Sequence, residues 1–412
     1  MPDSPATLAQ SRVVGGKLSE TDEETFETID AADCSRALAG ADPTLPQTDV
    51  GQFLRPVIGQ SLDRDLGSPT TKAITLAHSE EIIPIGATTP PTFDAFLRAC
   101  GTQREDVMRV AVTSPSGTFQ RFETISDGVD KEGILIGVQR NAAGDTVTHL
   151  LYVLVGSSDD FADEDVIAGS ISSAEAVADG STEQVGYAYH PLSESTGVVP
   201  PSMTVTHFIG GKELTAICRG NAVFRFEESN PGVIDFSMVG PMKLSETGGW
   251  PENDPPADIP LISQAAPRCT LSELVLADGS TTYTPPVVPG MTVDLGQQIT
   301  PRTTITRSVG ATGLRPPRIR QRDIVVSLSP EDVPASDHDF WGNALNGTPA
   351  RLSNDYGEID GLGRVIFHAD RVQYSAQLEN RDNVVATSLT MAVRASARND
   401  WPFFLAVLKE PE

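Results

Sequence analysis

The chain is poor in the residues that staple a fold or build a reactive centre. Its four cysteines, Cys34, Cys100, Cys218 and Cys269, stand far apart with no CxxC spacing. A disulfide framework or a zinc site is therefore not expected, and buried free thiols are. No apolar run approaches the ~18 residues of a membrane span; the strongest are Leu150 to Val155 and Trp401 to Leu408. The start, MPDSPATLAQ, has neither a basic stretch nor an apolar one, so no secretory signal is expected and the chain reads as soluble and unexported. Positive charge is scarce as well: 30 Lys and Arg stand against 56 Asp and Glu, for a formal net charge of -26. That balance argues against a general nucleic-acid binder, which needs cations to displace counterions from phosphates. It argues equally against an anionic membrane surface. It favours solubility and repulsion of DNA.

What is present is 412 residues, 39 % hydrophobic, 6 % aromatic and 21 % charged. This is enough for a real core and, at about 150 residues per domain, for two or three domains. Gly 35 and Pro 31 call for many turns and short elements, which leans the fold class to mainly β.

Residues 1–45 are acidic, with Glu20, Asp22, Glu23, Glu24, Glu27, Asp30 and Asp33 close together. They read as an arm that is loosely ordered or ordered only against a partner. A first domain is expected over 46–244. In it, Lys72 to Ile83 begins with strand-like alternation, and TFDAFLRACG places Phe93, Phe96, Leu97 and Cys100 on one helical stripe. Thr92 can cap that helix, Asp94 suits the positive end of its dipole, and Gly101 can close it. Residues from about 127 to 185 read as a β-rich insert, with strands Gly133 to Gln139 and Thr146 to Val155. The acidic tract Asp159 to Asp165 lacks the Asp-x-Asp-x-Asp-Gly spacing of a calcium loop and reads as solvated. MTVTHFI and KELTAICR alternate on either side of Gly210-Gly211 as a hairpin, and strands Ala222 to Phe226 and Val233 to Val239 follow. A Pro- and Gly-rich linker occupies 245–267. The second domain, 268–412, offers strands at Met291 to Leu295 and Asp323 to Leu328, and a helix at Asp337 to Leu345. Strands near Val365 to His368, Val372 to Leu378 and Ser388 to Arg394 complete it.

Catalytic patterns are missing. None of the histidines His78, His149, His190, His207, His338 and His368 has metal-ligand spacing. Asp337-His338-Asp339 looks like an acid–base group, but it opens a helix, where acids meet the N-terminal dipole. No Gly-x-Ser-x-Gly elbow, phosphate loop or dinucleotide fingerprint occurs. The alternation in Asp355 to Asp360 suits a turn better than a calcium site. No catalytic residue, cofactor or metal is expected. The feature that resists a bland reading is the arginine run Arg302, Arg307, Arg315, Arg318, Arg320 and Arg322, set among Thr, Ser, Gly and Pro. In so acidic a chain a long basic segment is a docking arm for an acidic surface, including another copy of the chain, or else a solvated loop that balances charge locally. No aromatics are interleaved for stacking on nucleic acid.

The order of elements, together with particular motifs, resembles the tail tube (major tail) proteins of long-tailed bacteriophages. The motifs are Leu97-Arg98-Ala99-Cys100-Gly101, the strand pair through Leu214 to Gly220, Ile234 to Gly240, and Asp339 to Pro349 (DFWGNALNGTP). Ala216 replaces the first glycine of the family's strand pair. The resemblance covers most of 50–400, excepting the insert. It implies a mainly β chain of two tandem tail-tube-type β-sandwich or barrel domains, each with one short helix, plus the β-rich insert. It implies no active site: such proteins form rings that stack into a hollow tube through which DNA is ejected. The implied partners are further copies of the chain, other tail proteins at the tube ends, a tape-measure protein in the lumen and genomic DNA as passing cargo, with no membrane binding. The implied location is the virion tail, assembled in the host cytoplasm, and the arginine run falls in the family's bridging loop between rings or subunits. An internal duplication would make a ring from three chains with pseudo-sixfold symmetry, the alternative being a hexamer. The alternatives in function are a distal tail or head–tail connector protein of related fold and, in another class, a β-rich carbohydrate-active enzyme.

Overall fold

The structure is a computed structural model. It describes residues 13–19, 25–36, 47–53, 68–140, 149–155, 161–180, 182–192, 199–209, 212–227, 230–243, 273–278, 281–285, 290–304, 314–358, 363–381, 384–394 and 401–409. These are mainly β. The first half contains β1 (Val13–Leu18), β2 (Cys34–Arg36), β3 (Gln47–Phe53), β4 (Ser68–Glu81) and helix α1 (Asp94–Ala99). There follow β5 (Thr102–Ser116), β6 (Thr124–Ser126), β7 (Glu132–Arg140), β8 (His149–Val155), β9 (Val166–Gly169), β10 (Glu175–Ala178) and β11 (Glu183–Pro191). The half ends with β12 (Met203–Ile209), β13 (Lys212–Glu227) and β14 (Val233–Pro241). The second half contains β15 (Glu273–Asp278), β16 (Thr281–Tyr283), β17 (Gly290–Asp294), β18 (Gln297–Thr303), β19 (Leu314–Arg322), β20 (Val325–Leu328) and helix α2 (Phe340–Asn346). Its last strands are β21 (Ala350–Glu358), β22 (Gly363–Arg381), β23 (Val384–Val393) and β24 (Phe404–Leu408).

The two halves pair their strands in the same order. In the first, antiparallel neighbours run β2, β1, β12, β13, β14, β4, β3. In the second they run β16, β15, β21, β22, β23, β20, β17. Each helix leaves from the corresponding strand, α1 after β4 and α2 after β20. The ribbon β18–β19 prolongs β17 and β20 along the chain. The halves join where β13 meets β17, with Val223 opposite Asp294 and Glu227 opposite Gly290.

Alternation fixes which face each strand buries. Ile74 and Leu76 on β4, Ile234, Phe236 and Met238 on β14, and Ala222, Phe224 and Phe226 on β13 all point into one apolar cluster. The same cluster takes Met291 and Val293 of β17, Val326 and Leu328 of β20, and Leu389, Met391 and Val393 of β23. The halves expected as separate domains, 46–244 and 268–412, thus share one sheet and one core. The linker at 245–267 lies outside the described residues.

Several local expectations change. The acidic arm is partly a sheet element: β1 pairs with β12 along its whole length and buries Val14 completely. Acidity misled here because the arm's acids sit outside the short apolar run that pairs. Thr92 does not cap α1; its hydroxyl donates to Glu80 Oε2 at 2.9 Å, and Phe93 takes the cap position with no side-chain bond. Gly101 does end the helix, at φ 79°, a conformation open to glycine at little cost. KELTAICR and Ala222 to Phe226 form one strand of 16 residues, β13. At its middle, Gly220 lets Met238 and Cys100 approach so closely that a Cβ would lie 2.2 Å from Met238 Sδ. Val365 to His368 and Val372 to Leu378 likewise merge in β22.

The insert is larger than 127–185. Strands β5, β10, β9, β6, β7 and β8 pair in that order, and β8 returns to β5, closing a small antiparallel barrel. Closure removes all free edges, and it needs β5 and β6, which a boundary at 127 leaves out. Val110, Val112, Ile125, Leu135, Leu151, Val153, Phe161 and Ile167 fill it as a separate core. One end is locked by Glu123, fully buried, whose carboxylate accepts from Gln120 N at 2.7 Å, Ile171 N at 3.0 Å, Ser172 N at 2.9 Å and Ser172 Oγ at 2.7 Å. Burial raises its pKa, but these donors outweigh burial and hold it below the ordinary 4.5. Glu123→Gln is expected to destabilise the barrel by about 1–3 kcal/mol at pH 7, because the amide leaves donors unpaired. A depressed carboxylate contributes stability above its unfolded pKa and loses it as pH falls through the lower folded pKa. Urea titrations should therefore show the gap between wild type and variant closing below pH 4.5.

Candidate functional site

No arrangement of titratable side chains resembles a catalytic centre among the described residues, and no group of three or more His, Cys, Asp or Glu there could hold a metal ion. Asp339 is a helix cap: its Oδ1 accepts from Gly342 N at 2.8 Å. His338 stacks on Tyr283 with ring centroids 4.5 Å apart. Asp355 is ion-paired, accepting from Arg364 Nε at 2.8 Å and from Arg121 at 2.9 Å. Cys34, Cys100 and Cys218 are free and buried, as expected for structural thiols, while Cys269 lies outside the described residues. Burial, with help from Asp33 and Asp30, pushes the Cys34 thiol up to about 11. Burial raises Cys100 and Cys218 further still. None of these is a nucleophile at neutral pH.

What the folding does assemble is a set of junctions. The arginine run occupies the β18–β19 ribbon, which lies across β13, β14 and β4 of the first half. Arg302 and Arg315 stand opposite each other on it, and Arg302 Nε donates to Pro316 O at 2.7 Å. Arg322 donates to the carbonyls of Gly101 and Leu192 in the first half. Arg318 and Arg320 point outward and are exposed. Arg307 lies outside the described residues. The run is thus divided in role, with Arg322 fastening the ribbon to the first half, Arg302 bonding across the ribbon and Arg318 and Arg320 presented to solvent. Gln297 strengthens the anchorage by donating from Nε2 to Cys100 O at 2.7 Å.

The residue that sequence reasoning missed is Arg219. It is fully buried at the crossing of β13 and the ribbon, donating from Nε to Pro200 O at 2.8 Å and from NH1 to Pro317 O at 2.6 Å. A lone arginine in an alternating strand carries no sign of this, because both acceptors lie on distant segments. A buried guanidinium is stable only with such partners. Arg219→Met should orphan both carbonyls at about 1–3 kcal/mol each. Hydrogen exchange in 314–322 should rise with it, a check on the ribbon's anchorage that global unfolding alone does not give.

A second junction fastens the barrel to the second half. β11 pairs with β5 on one side and with β24 on the other, and β24 pairs with β22. Arg121 of the barrel reaches Asp355, and Phe122 stacks on His368 at 3.6 Å and 12°. A cavity beside this stack is lined by Phe122, Thr124, Ile134, His368, Asp370 and Trp401. Its enclosed space is water-sized, too small for an organic ligand. Burial, then Arg121 and Arg351, hold the His368 pKa well below 6.5. A histidine kept neutral in the fold binds fewer protons than the unfolded chain below pH 6.5, so stability falls as pH drops from there. His368→Phe, which preserves the stack, should flatten that part of the profile when melting temperature is followed from pH 7.5 to 5.

Compared with known proteins, the chain matches no protein-family model, and no curated protein is significantly similar to it. No helix among the described residues is long and apolar enough to cross a membrane.

Proposed function

We propose that this chain is a structural virion protein that forms the stacked rings of a hollow phage-type tail tube, through which DNA passes on ejection. The observation that carries the reading is the repetition of one strand order: the order β2 to β3 recurs as β16 to β17, with a helix at the same place in each. A chain holding two copies of one unit, joined sheet edge to sheet edge, is suited to a closed ring. Three such chains place six quasi-equivalent units around an axis, and closure leaves no edge exposed. Further rings, other tail proteins at the ends and a tape-measure protein in the lumen are the partners this role entails. The acidity fits a conduit for DNA: a net charge of -26 offers few cations to exchange for phosphate counterions. Arg318 and Arg320, exposed on the ribbon, are the groups best placed to meet the acidic face of the next ring. The barrel and its strand β11 stand as an addition to the repeated unit, inserted between α1 and β12.

The test is to concentrate the purified chain and combine sedimentation with negative-stain imaging and native mass of single rings. Rings of three chains and tubes stacked from them are expected. Arg318→Ser with Arg320→Ser, or high salt with the unaltered chain, should shorten the tubes while leaving single rings intact. A protein that stays monomeric at all concentrations and hydrolyses a polysaccharide would instead favour the carbohydrate-active enzyme.

A further inference from the structure

We propose that the exposed end of the β22–β23 hairpin, with α2 beside it, is the docking face for the β3–β4 hairpin of a second copy of this chain. The inference rests on the ring reading and names the contact that builds the ring.

It begins with two equivalent rows of side chains that end differently. On β13 the core-facing row Ala222, Phe224, Phe226 stays buried to its last member, with Phe226 only 3 % exposed. The corresponding row on β22 is Val372, Tyr374, Ala376, Leu378. Its first two members are buried and Ala376 partly so, yet Leu378 is 58 % exposed. On β23 the row Val393, Met391, Leu389, Thr387 is buried, and it runs out to Val385 at 54 % exposure. The core is finished on β13 and unfinished on β22.

The reason lies in the neighbour. Residues Val223–Glu227 of β13 lie against β17, on the side away from β14. Ser375–Glu379 of β22 pair with β23, and no described strand lies on the other side. β17 is the strand that begins the long hairpin of the second half. The strand in that place in the first half is β3, which pairs with β4 and with no other described strand. One edge lacks the kind of strand that the other edge offers, so the contact β13–β17 within the chain can be repeated as β22–β3 between chains.

The helices tell the same story. α1 keeps Phe96, Leu97 and Ala99 buried, and its C-terminal end is met by the second-half ribbon through Gln297 on Cys100 O and Arg322 on Gly101 O. α2 packs on β22 but leaves Trp341 and Leu345, one turn apart, 40 % and 85 % exposed. The segment that occupies the ribbon's place next to α2 would be the β3–β4 hairpin of the neighbouring copy. A heterologous contact of this kind propagates head to tail and closes after a fixed number of chains, and exposed apolar side chains at a free strand edge are what such a contact buries.

Two chains with one added cysteine each test it, both also with Cys269→Ser, since Cys34, Cys100 and Cys218 are buried: one with Gln47→Cys on β3, the other with Gln377→Cys on the solvent face of β22. Mixed and treated with a short bismaleimide, they should give a crosslinked pair, and neither chain alone should do so. Adding Leu378→Asp and Val385→Asp to the second chain should cut the crosslinked yield at least tenfold without unfolding it, since both positions are already exposed. If rings or tubes form and no crosslink appears, the face assignment is overturned while the tube reading stands. If the crosslink forms but no ring or tube does, the face is supported and the tube reading falls. A chain that remains monomeric and uncrosslinked at high concentration overturns both.

Discussion

Backbone hydrogen bonding along β13 is the interaction on which the rest of the molecule depends. Its first part pairs with β12 and its second lies between β14 and β17, so one strand belongs both to the first-half sheet and to the seam between the halves. Every ladder bond there satisfies a group that would otherwise be buried unpaired. The side chains follow from that placement: Phe224 and Phe226 reach second-half aromatics, with Phe226 5.7 Å from Tyr356 and Phe224 6.4 Å from Phe403 between ring centroids. Fully burying such a side chain is worth about 1.5–3 kcal/mol. The polar crossing at Arg219 sits on the same strand, which makes β13 both the apolar and the electrostatic hinge of the fold.

The closed barrel obeys a different constraint. It has its own core and no edges, and it is held to the rest by β11 and by β24, whose residues Phe404–Leu408 are all buried. Asp355 between Arg121 and Arg364 adds direction more than strength, because two guanidiniums and a carboxylate must all lose water to meet. A unit with its own core, attached through strand pairing, an ion cluster and the apolar packing of Ile136, Tyr152 and Leu154 on Ile366, Phe404 and Leu408, can vary at its far side without disturbing the seam at β13.

Repetition, acidity and unfinished edges belong together. A monomeric β protein hides or charges its edge strands; here the β22–β23 edge ends in an apolar row, and β3 has a single partner, β4, among the described strands. Such an arrangement is at home in a closed ring, where each surface meets its complement. A net charge of -26 favours solubility and disfavours binding to nucleic-acid phosphates.

The sequence by itself determined the class of fold, the helix from Asp94 with its glycine stop, the hairpin across Gly210-Gly211 and the free thiols. All of these rest on local periodicity or turn chemistry, which a few neighbouring residues specify. The repeated order of strand, helix and strand was also legible, as was the arginine run as an unusual feature. Only the tertiary structure decided that the acidic arm contributes β1, that the insert closes into a barrel from Thr102 onward, and that Thr92 bonds Glu80 instead of capping α1. It alone divided the arginines into anchoring and exposed members and placed Arg219 in the core. Each of these depends on which segments become neighbours in the fold, and pairings such as β1 with β12 leave no local trace in the chain.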